Sequence, residues 1–418
     1  MCFAKFESKK KNKPKRPIKS KKPHISITII KKPGNRKPGK KPGCHKPPKK
    51  PHRKTTRKPA QKPEPPYKPP YYIEDNYIRY YLDTNLKTEL SDNIEYIFKR
   101  IVSSKTCLIM TKQTSMFEKK DIDIGYCSFN NVELSTNRGK PTKVCLRNDV
   151  TINELFFYIG YALGLVPEIT RKDSSLNVKV SKQYISKSYY DKYYKVKDYN
   201  SRIIANSSFD FYSMMLSSPY FGSKKKGKKT YKFTSHLSYY YEKSINLTKK
   251  FNFNDIKRIW YLYCLSEEYL ESNPCRNGGF FRNDIFKCVC PSPFTGRYCE
   301  EMEEIRSSCG DVLKFNANSS KVFYTIENVD GYCYYSIKSK NGKKVQFIIN
   351  KLIFTECNGG SGANGVTVKY REDKGAEGLF VPGNYANIIF PPLSSEVYLI
   401  YYGDGSNRLD FSIQEVGK

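Results

Sequence analysis

The sequence has few of the residues that hold metal ions or cross membranes. Its 418 residues include only 4 His and 1 Trp. No segment approaches 18 consecutive apolar residues, so the sequence predicts no transmembrane helix. The first residues also lack the apolar run of about 7–15 residues that a secretory signal needs. The longest apolar stretch there, from Ile25 to Ile30, is interrupted by Ser26 and Thr28.

Acidic residues are almost absent from residues 1–70, which hold 25 Lys or Arg against 2 Glu, together with 15 of the 24 Pro. The rest of the chain has 49 basic and 38 acidic residues, so most of the formal charge of +34 lies in this segment. Because like charges repel and proline removes backbone donors, we expect residues 1–70 to be a disordered basic tail. It is either a solvated spacer or an arm that binds polyanions, and the scarcity of aromatic residues before Tyr67 argues against nucleic acid.

The 13 Cys indicate an oxidising compartment. Cys2 and Cys44 lie in the tail, and the cysteines between Cys264 and Cys309 are closely spaced among turn glycines, which is typical of a small disulfide-stapled module. The paired Cys-x-x-Cys spacing of zinc sites is missing. Three sequons for N-glycosylation agree with an extracellular location, at Asn206, Asn246 and Asn318. The absent signal then points to a truncated or misassembled gene model or to an unconventional start.

Hydrophobic periodicity divides the folded part into three blocks. In the first, residues 77–264, strands are predicted at 78–82 and 106–110, and helices around Ile94–Val102 and at 153–165 and 253–262. The second block, 272–302, is the cysteine-stapled module. The third, 309–418, has short runs rich in Val, Ile, Tyr and Phe, for example at 322–326, 345–349, 366–370 and 397–402. That pattern predicts an antiparallel β-sandwich.

One segment of the first block carries the most specific signal. Residues 157–173, FYIGYALGLVPEITRKD, resemble the zinc-binding helix HExxHxxGxxHExxRxD of the astacin family of metalloendopeptidases. In that family the three His bind zinc and the first Glu is the general base for the zinc-bound water. The positions that match the family outside the ligand set are Gly164, Glu168, Arg171 and Asp173.

The positions that would carry the chemistry do not match. The family's zinc ligands correspond to Phe157, Tyr161 and Pro167, and its general base corresponds to Tyr158. Phe and Pro offer no side-chain donor, and a Tyr whose pKa lies near 10 is a poor ligand without others. We interpret Phe157 and Tyr161 as an i, i+4 aromatic pair that fills the space of the metal.

A second segment resembles the Met-turn of the same family. Residues 209–217, FDFYSMMLS, correspond to YDYxSxMHY, with matches at Asp210, Ser213 and Met215. Leu216 stands where His is usual, and Ser217 stands where the family has a Tyr that assists the zinc and the oxyanion. The resemblance therefore implies that the turn beneath the site is kept without its polar contribution.

The resemblance implies an α+β fold in which an astacin-like (metzincin) domain at 77–264 is followed by two modules, as in secreted nematode astacins. Residues 272–302 resemble a reduced EGF-like module, and residues 309–418 are similar to an all-β CUB domain. The implied disulfides are Cys107–Cys264, Cys127–Cys145, Cys275–Cys288, Cys290–Cys299 and Cys309–Cys333. Cys357 has no later partner in the sequence, so it is either free or intermolecular.

No other constellation replaces the lost site. HExxH does not occur, and His236 is the only His outside the tail, which holds His24, His45 and His52. The leading hypothesis is a secreted pseudo-protease without a cofactor, which binds proteins or peptides through the former cleft or the CUB domain. The alternatives are a functional zinc metalloendopeptidase, as the family implies, and a polyanion-binding protein that acts through residues 1–70.

Overall fold

The computed structural model describes most of the chain beyond the basic tail. The described segments are residues 26–29, 76–135, 140–244, 250–265, 272–305, 309–354 and 364–417. No helix in these segments is both long enough and apolar enough to cross a bilayer. Cys357, the sequon at Asn246 and the cysteines and histidines of the tail lie outside the described residues. Within the tail, Ser26–Ile29 form strand β1.

A five-stranded sheet opens the N-terminal region. Its strands are β2 (Tyr77–Leu82), β3 (Ile109–Lys112), β4 (Ile122–Tyr126), β5 (Asn131–Glu133) and β6 (Thr142–Leu146). The order is β3-β2-β4-β6-β5, and only the β5–β6 pair is antiparallel within this sheet. The strand predicted at 78–82 is confirmed by β2. The one predicted at 106–110 is wrong in its first half, because Thr106 still bonds to the Val102 carbonyl and completes the preceding helical turn.

The helices of this region are α1 (Thr88–Tyr96), continued by a π-helix (Ile97–Ser103), α2 (Ile152–Ala162), α3 (Lys187–Tyr193), α4 (Ser201–Ile204), α5 (Ser238–Ser244) and α6 (Phe253–Tyr263). Short 3₁₀ turns lie at Glu168–Thr170, Lys172–Leu176 and Lys182–Tyr184. A hairpin joins β7 (Val178–Val180) to β8 (Tyr231–Phe233). The helices predicted from periodicity are confirmed by α1 with its π-helix, α2 and α6.

Capping boxes begin the two helices that frame the site. Thr151 and Glu154 cap α2, and Asn252 and Asp255 cap α6, so each box satisfies two backbone donors that a helix start leaves free. Helix α2 stops just before Gly164, whose φ of +85° lies in the left-handed region that favours glycine. The sequence pattern therefore determines both ends of α2.

The small module contains two short β-ribbons. They pair β9 (Phe280–Arg282) with β10 (Lys287–Val289), and β11 (Phe294–Thr295) with β12 (Glu301–Met302). Disulfides Cys275–Cys288 and Cys290–Cys299 hold these ribbons together. A module of this size buries little apolar surface, so the covalent bonds carry much of its stability.

The C-terminal region is an all-β sandwich. Its strands are β13 (Lys314–Ala317), β14 (Val322–Glu327), β15 (Asp330–Ser339), β16 (Lys344–Phe354), β17 (Gly365–Lys369), β18 (Leu379–Pro382), β19 (Tyr385–Phe390), β20 (Glu396–Asp404) and β21 (Asn407–Val416). One sheet has the order β14-β21-β16-β19 and the other β13-β15-β20-β17-β18. The predicted sandwich is confirmed, although β13 pairs with β15 in parallel. Side chains such as Phe315, Phe347 and Phe411 fill the space between the sheets.

Strand β1 extends the first of these sheets. Its backbone pairs antiparallel with β14, with Ser26 opposite Thr325 and Ile29 opposite Val322. The expectation that the whole of residues 1–70 is disordered is therefore wrong for these four residues. The stretch is the most apolar part of the tail, and strand β14 offers it an open edge with unpaired backbone groups.

The sandwich packs directly on the N-terminal region. The Tyr241 and Tyr370 hydroxyls lie 2.9 Å apart, and the Ser208 amide donates to Asp373 Oδ2 at 2.8 Å. His236, expected to be an ordinary surface residue, is exposed and its Nε2 lies 2.7 Å from the Ile389 carbonyl oxygen across this boundary. Buried apolar residues of the two regions form one continuous cluster.

Candidate functional site

Helix α2 presents its central residues to the interior rather than to an open cleft. Phe157 is 1% exposed, Tyr158 2% and Tyr161 8%. Gly160 lies on the same helix, and a Cβ there would come within 2.6 Å of Met215 Sδ. Glycine at this position therefore allows the Met-turn to pack directly beneath the helix.

Aromatic rings occupy the centre of the former ligand set. The Phe157 ring lies 4.9 Å from Phe221 and 5.5 Å from Tyr193, and the Tyr161 ring lies 5.2 Å from Tyr193. Tyr193 and Phe221 are themselves in contact at 5.3 Å. We call these four residues and Tyr158, which contacts Phe157 and Phe221, the aromatic cluster. The space is filled by rings from helix α3 and a later loop, not by the pair on α2 alone.

Burial keeps the phenols of this cluster neutral. It raises the pKa of Tyr161 to about 12, with a further contribution from Tyr199. Burial also raises the pKa of Tyr158 and of Tyr193 far above the ordinary value of about 10, because a buried phenolate would lose its hydration. At neutral pH these hydroxyls are therefore neither general bases nor anionic ligands.

Pro167, the residue at the third ligand position, forms part of a turn through its backbone carbonyl. Pro167 is buried, and its carbonyl accepts hydrogen bonds from the Thr170 amide at 2.9 Å and hydroxyl at 2.7 Å. The following amide, that of Glu168, donates to the Met215 carbonyl at 3.0 Å. Pro167 thus ends the connection that follows α2 and aligns it with the Met-turn.

The matching positions downstream of Pro167 form a buried ionic network. Glu168 Oε1 pairs with the guanidinium of Arg258 on α6, and both side chains are 0% exposed. The other carboxylate oxygen accepts from the Asp210 amide at 3.1 Å and lies 3.5 Å from Arg171 Nε. Arg171 also forms two hydrogen bonds with Asp173. Pairing of this kind offsets the cost of burying the charges.

The Met-turn is tied into the same network. Ser213 Oγ donates to Asp255 Oδ1 at 2.5 Å and accepts from the Met215 amide at 3.0 Å. Asp210 accepts from the Tyr212 amide and from Asn252 Nδ2, both at 3.0 Å. Burial raises the pKa of Asp210 to about 7, aided by Glu377 and Glu168, and burial raises that of Asp255 to about 6 against the opposing effect of Arg258. We call Glu168, Arg171, Asp173, Asp210, Ser213, Asp255 and Arg258 the ionic network.

A cavity of about 340 Å³ remains beside the aromatic cluster. Its lining includes Thr151, Glu154, Phe157, Ser213, Leu216 and Ser217. Ser217 is half-buried, and its carbonyl accepts from the Tyr231 hydroxyl at 2.7 Å. Glu154 is the acidic residue of this lining, and its carboxylate bonds to Thr151 in the capping box. Neither a nucleophile with its base nor a pair of free carboxylates faces this space.

Across the described segments, no three His, Cys, Asp or Glu side chains converge in a way that would hold a metal ion. The described disulfides are Cys107–Cys264, Cys127–Cys145, Cys275–Cys288, Cys290–Cys299 and Cys309–Cys333, the pairs that the resemblance implies. Of the sequons, Asn206 is exposed and Asn318 is partly exposed, with its side chain bonded to the Ser320 amide.

The sequence interpretation missed three residues that shape the site. Tyr193 and Phe221 complete the aromatic cluster, and Arg258 neutralises Glu168. A signal for Tyr193 exists, since Tyr189 and Tyr193 stand four apart in a Tyr-rich helix. Nothing local marks Phe221 or Arg258, because their partners are 64 and 90 positions earlier in the chain.

Comparison with known proteins relates the N-terminal region to one family. Residues 68–264 match the family model described as Astacin, a family of peptidases. The chain is similar to the zinc metalloproteinase nas-36 of Caenorhabditis elegans, with 28% identity over 196 residues, which is 45% of this chain and 31% of that protein. The zinc metalloproteinase nas-34 of the same species is 27% identical over 259 residues, 61% of this chain and 40% of the relative.

A nas-36 protein of Brugia malayi is 30% identical over 176 residues, 41% of this chain and 29% of the relative. The chain thus spans about 30% of the length of the first curated relatives that it matches. Among solved structures, the hatching enzyme HCE-1 of Oryzias latipes is 19% identical with a TM-score of 0.36, over 46% of this chain and 90% of that one. The CUB1-EGF-CUB2 segment of human MASP-1/3 is 13% identical with a TM-score of 0.21, over 34% and 49%.

Proposed function

We propose that this chain, whose residues 68–264 match the Astacin family model, is a non-catalytic member of that family that binds other molecules instead of cleaving them. The observation that carries the proposal is the aromatic cluster. Phe157 and Tyr161, at positions that the resemblance assigns to zinc ligands, both contact Tyr193, and each of these rings is buried. A ring in that place excludes water as well as an ion.

The residues present do not fit the zinc ion that the family uses. Phe157 and Pro167 supply no side-chain donor, and Tyr161 would have to lose a proton whose pKa burial raises to about 12. The general-base position, Tyr158, holds a neutral phenol. Because all four positions fail together, we infer that the chain binds no catalytic zinc and hydrolyses no peptide bonds.

The five disulfides favour an extracellular setting for this role, since such bonds persist in oxidising compartments. The filled centre leaves a cavity of about 340 Å³ beside the cluster. Protein partners therefore have more accessible surface on the β-sandwich and on the exposed part of the N-terminal region.

Zinc quantitation of the purified full chain, combined with a peptidase assay, tests the proposal. After dialysis against micromolar zinc, we expect less than about 0.1 zinc per chain and no hydrolysis of denatured protein or fluorogenic peptides above a buffer blank. Tyr193→Ala serves as a matched variant, because it opens the centre of the cluster without changing a ligand position. One zinc per chain with chelator-sensitive hydrolysis, in either protein, would support the zinc metalloendopeptidase instead.

A further inference from the structure

The folded part of the chain carries its excess positive charge in one segment. Residues 174–241 contain 13 Lys or Arg and 3 Asp, a net charge of +10. All residues beyond the tail together have a net charge of +11 (49 basic and 38 acidic). The charge outside the tail is thus not spread over three modules but concentrated in a stretch that includes hairpin β7–β8.

The hairpin places like charges opposite each other. Lys179 of β7 is the direct partner of Lys232 of β8, and both are exposed. Directly opposed residues of an antiparallel pair project to the same face, where like charges are destabilising. No carboxylate in the described residues lies within ion-pair distance of either lysine, so both ammonium groups are available to an anionic ligand.

A polar depression lies next to this pair. Its volume is about 530 Å³, and its lining consists of Ser181, Gln183, Tyr184, Tyr220, Gly227, Lys228, Lys229 and Lys232. Hydroxyl and amide groups therefore stand beside three ammonium groups. Lys229 has a carboxylate partner, Glu242, at 2.9 Å.

The loop that carries the lysines is held in place. The Lys224 amide donates to the Tyr184 carbonyl at 2.8 Å, and Ser223 Oγ donates to the carbonyls of Lys225 and Lys228 at 2.9 Å. Gly227, with φ of +74°, makes the turn between them. Because this backbone is tied down, less ordering of the loop is needed on binding.

We propose that Lys179, Lys228, Lys229 and Lys232, which we call the lysine face, bind a linear sulfated polysaccharide. Repeated sulfate groups match closely spaced lysines, which act as point charges and require no bidentate geometry. The disulfides place the chain where such polysaccharides occur and nucleic acids are scarce. This site is separate from the tail and does not depend on the loss of catalysis.

Lysine footprinting on the full chain locates the site despite the basic tail. Exposed lysines are acetylated with and without a heparin octasaccharide and quantified by mass spectrometry. We expect labelling of Lys179, Lys228 and Lys232 to fall at least threefold, while Lys340 and Lys343 of the sandwich, which are also exposed, keep their rates. Unchanged labelling of the lysine face at saturating octasaccharide would overturn the proposal.

Matched charge variants of the full chain provide the second test. The variant K179Q/K228Q/K232Q removes three charges from the lysine face, and K314Q/K340Q/K343Q removes three exposed charges elsewhere. For each variant, the logarithm of the heparin binding constant is plotted against the logarithm of the salt concentration. We expect the magnitude of the slope to fall by about two to three for K179Q/K228Q/K232Q and by less than one for K314Q/K340Q/K343Q. Equal effects would assign binding to the tail and net charge, and equal protection by single-stranded DNA would reject the polysaccharide specificity.

Discussion

The centre of the former cleft differs from the family pattern, whereas the ionic network beneath it matches that pattern. In the aromatic cluster, positions that hold metal ligands and a base in the family are occupied by Phe157, Tyr158 and Tyr161. Beneath it, Glu168 and Asp210 match the family pattern and remain fully buried and paired. Among the motif positions compared, those that the resemblance assigns to the metal and its base differ from the family pattern, whereas Glu168 and Asp210 match it.

The difference shows that the two parts of the site have different physical requirements: space filling in the aromatic cluster and charge pairing in the ionic network. A metal ligand that does not contact other side chains can be replaced by a ring that fills the space, since packing then compensates for the lost bonds. A charged member of the ionic network is harder to remove, because its partners would stay buried with less compensating charge. Folding stability is therefore a sufficient reason for keeping the ionic network.

Loss of Arg258 should have the largest effect on stability. Arg258→Ala leaves Glu168 charged and fully buried, so we expect a loss of about 3–5 kcal/mol in the free energy of unfolding, measured by denaturant titration. Lys172→Ala, which breaks the exposed pair with Asp198, is the control and should cost less than about 1 kcal/mol. Similar losses in both variants would show that the network is no more important than a surface pair.

Restoring the family's residue in the aromatic cluster should also destabilise the protein. Phe157→His buries an imidazole among rings, and we expect a loss of about 2–4 kcal/mol, greater below pH 6 because the ring then has to carry a charge. Phe129, an exposed ring, provides the control: Phe129→His should change stability by less than about 0.5 kcal/mol. A neutral or stabilising Phe157→His would mean that the cluster still accommodates a ligand.

Removing the Ser213 hydroxyl should have an intermediate effect. Ser213→Ala deletes the donor to Asp255 and the acceptor of the Met215 amide, so we expect a loss of about 1–2 kcal/mol by the same titration. An unchanged midpoint would indicate that water replaces the hydroxyl, although the site is closed.

The smallest effect concerns pH and Asp210. Because burial raises its pKa to about 7, the folded protein retains a proton that the unfolded chain releases above about pH 4. The stabilisation from this proton is complete below the pKa that Asp210 has in the unfolded chain. It is lost as the pH rises through the folded-state pKa of about 7. Between pH 6.5 and 8 we expect the free energy of unfolding to fall by about 1 kcal/mol more in the parent than in Asp210→Asn. Parallel pH profiles of the two proteins would contradict this assignment.

Local pattern predicted a large part of this molecule. Hydrophobic periodicity and turn residues, which act over a few positions, predict helices α2 and α6, strand β2 and the β-sandwich. Strand 106–110 was misplaced, because Thr106 belongs to a helical turn whose end depends on packing against later residues. The same limit applies to β1, whose partner β14 lies about 300 positions away.

The sequence by itself determined which side chains stand at positions 157, 158, 161 and 167: Phe, Tyr, Tyr and Pro, where the resemblance places three zinc ligands and a base. Only the tertiary structure decided what takes the place of that chemistry. Tyr193 and Phe221 meet Phe157 because helix α3 and a later loop fold over α2, and Arg258 reaches Glu168 because α6 lies behind the Met-turn. Side-chain identity is a local property, whereas burial and charge pairing arise only when distant segments are brought together.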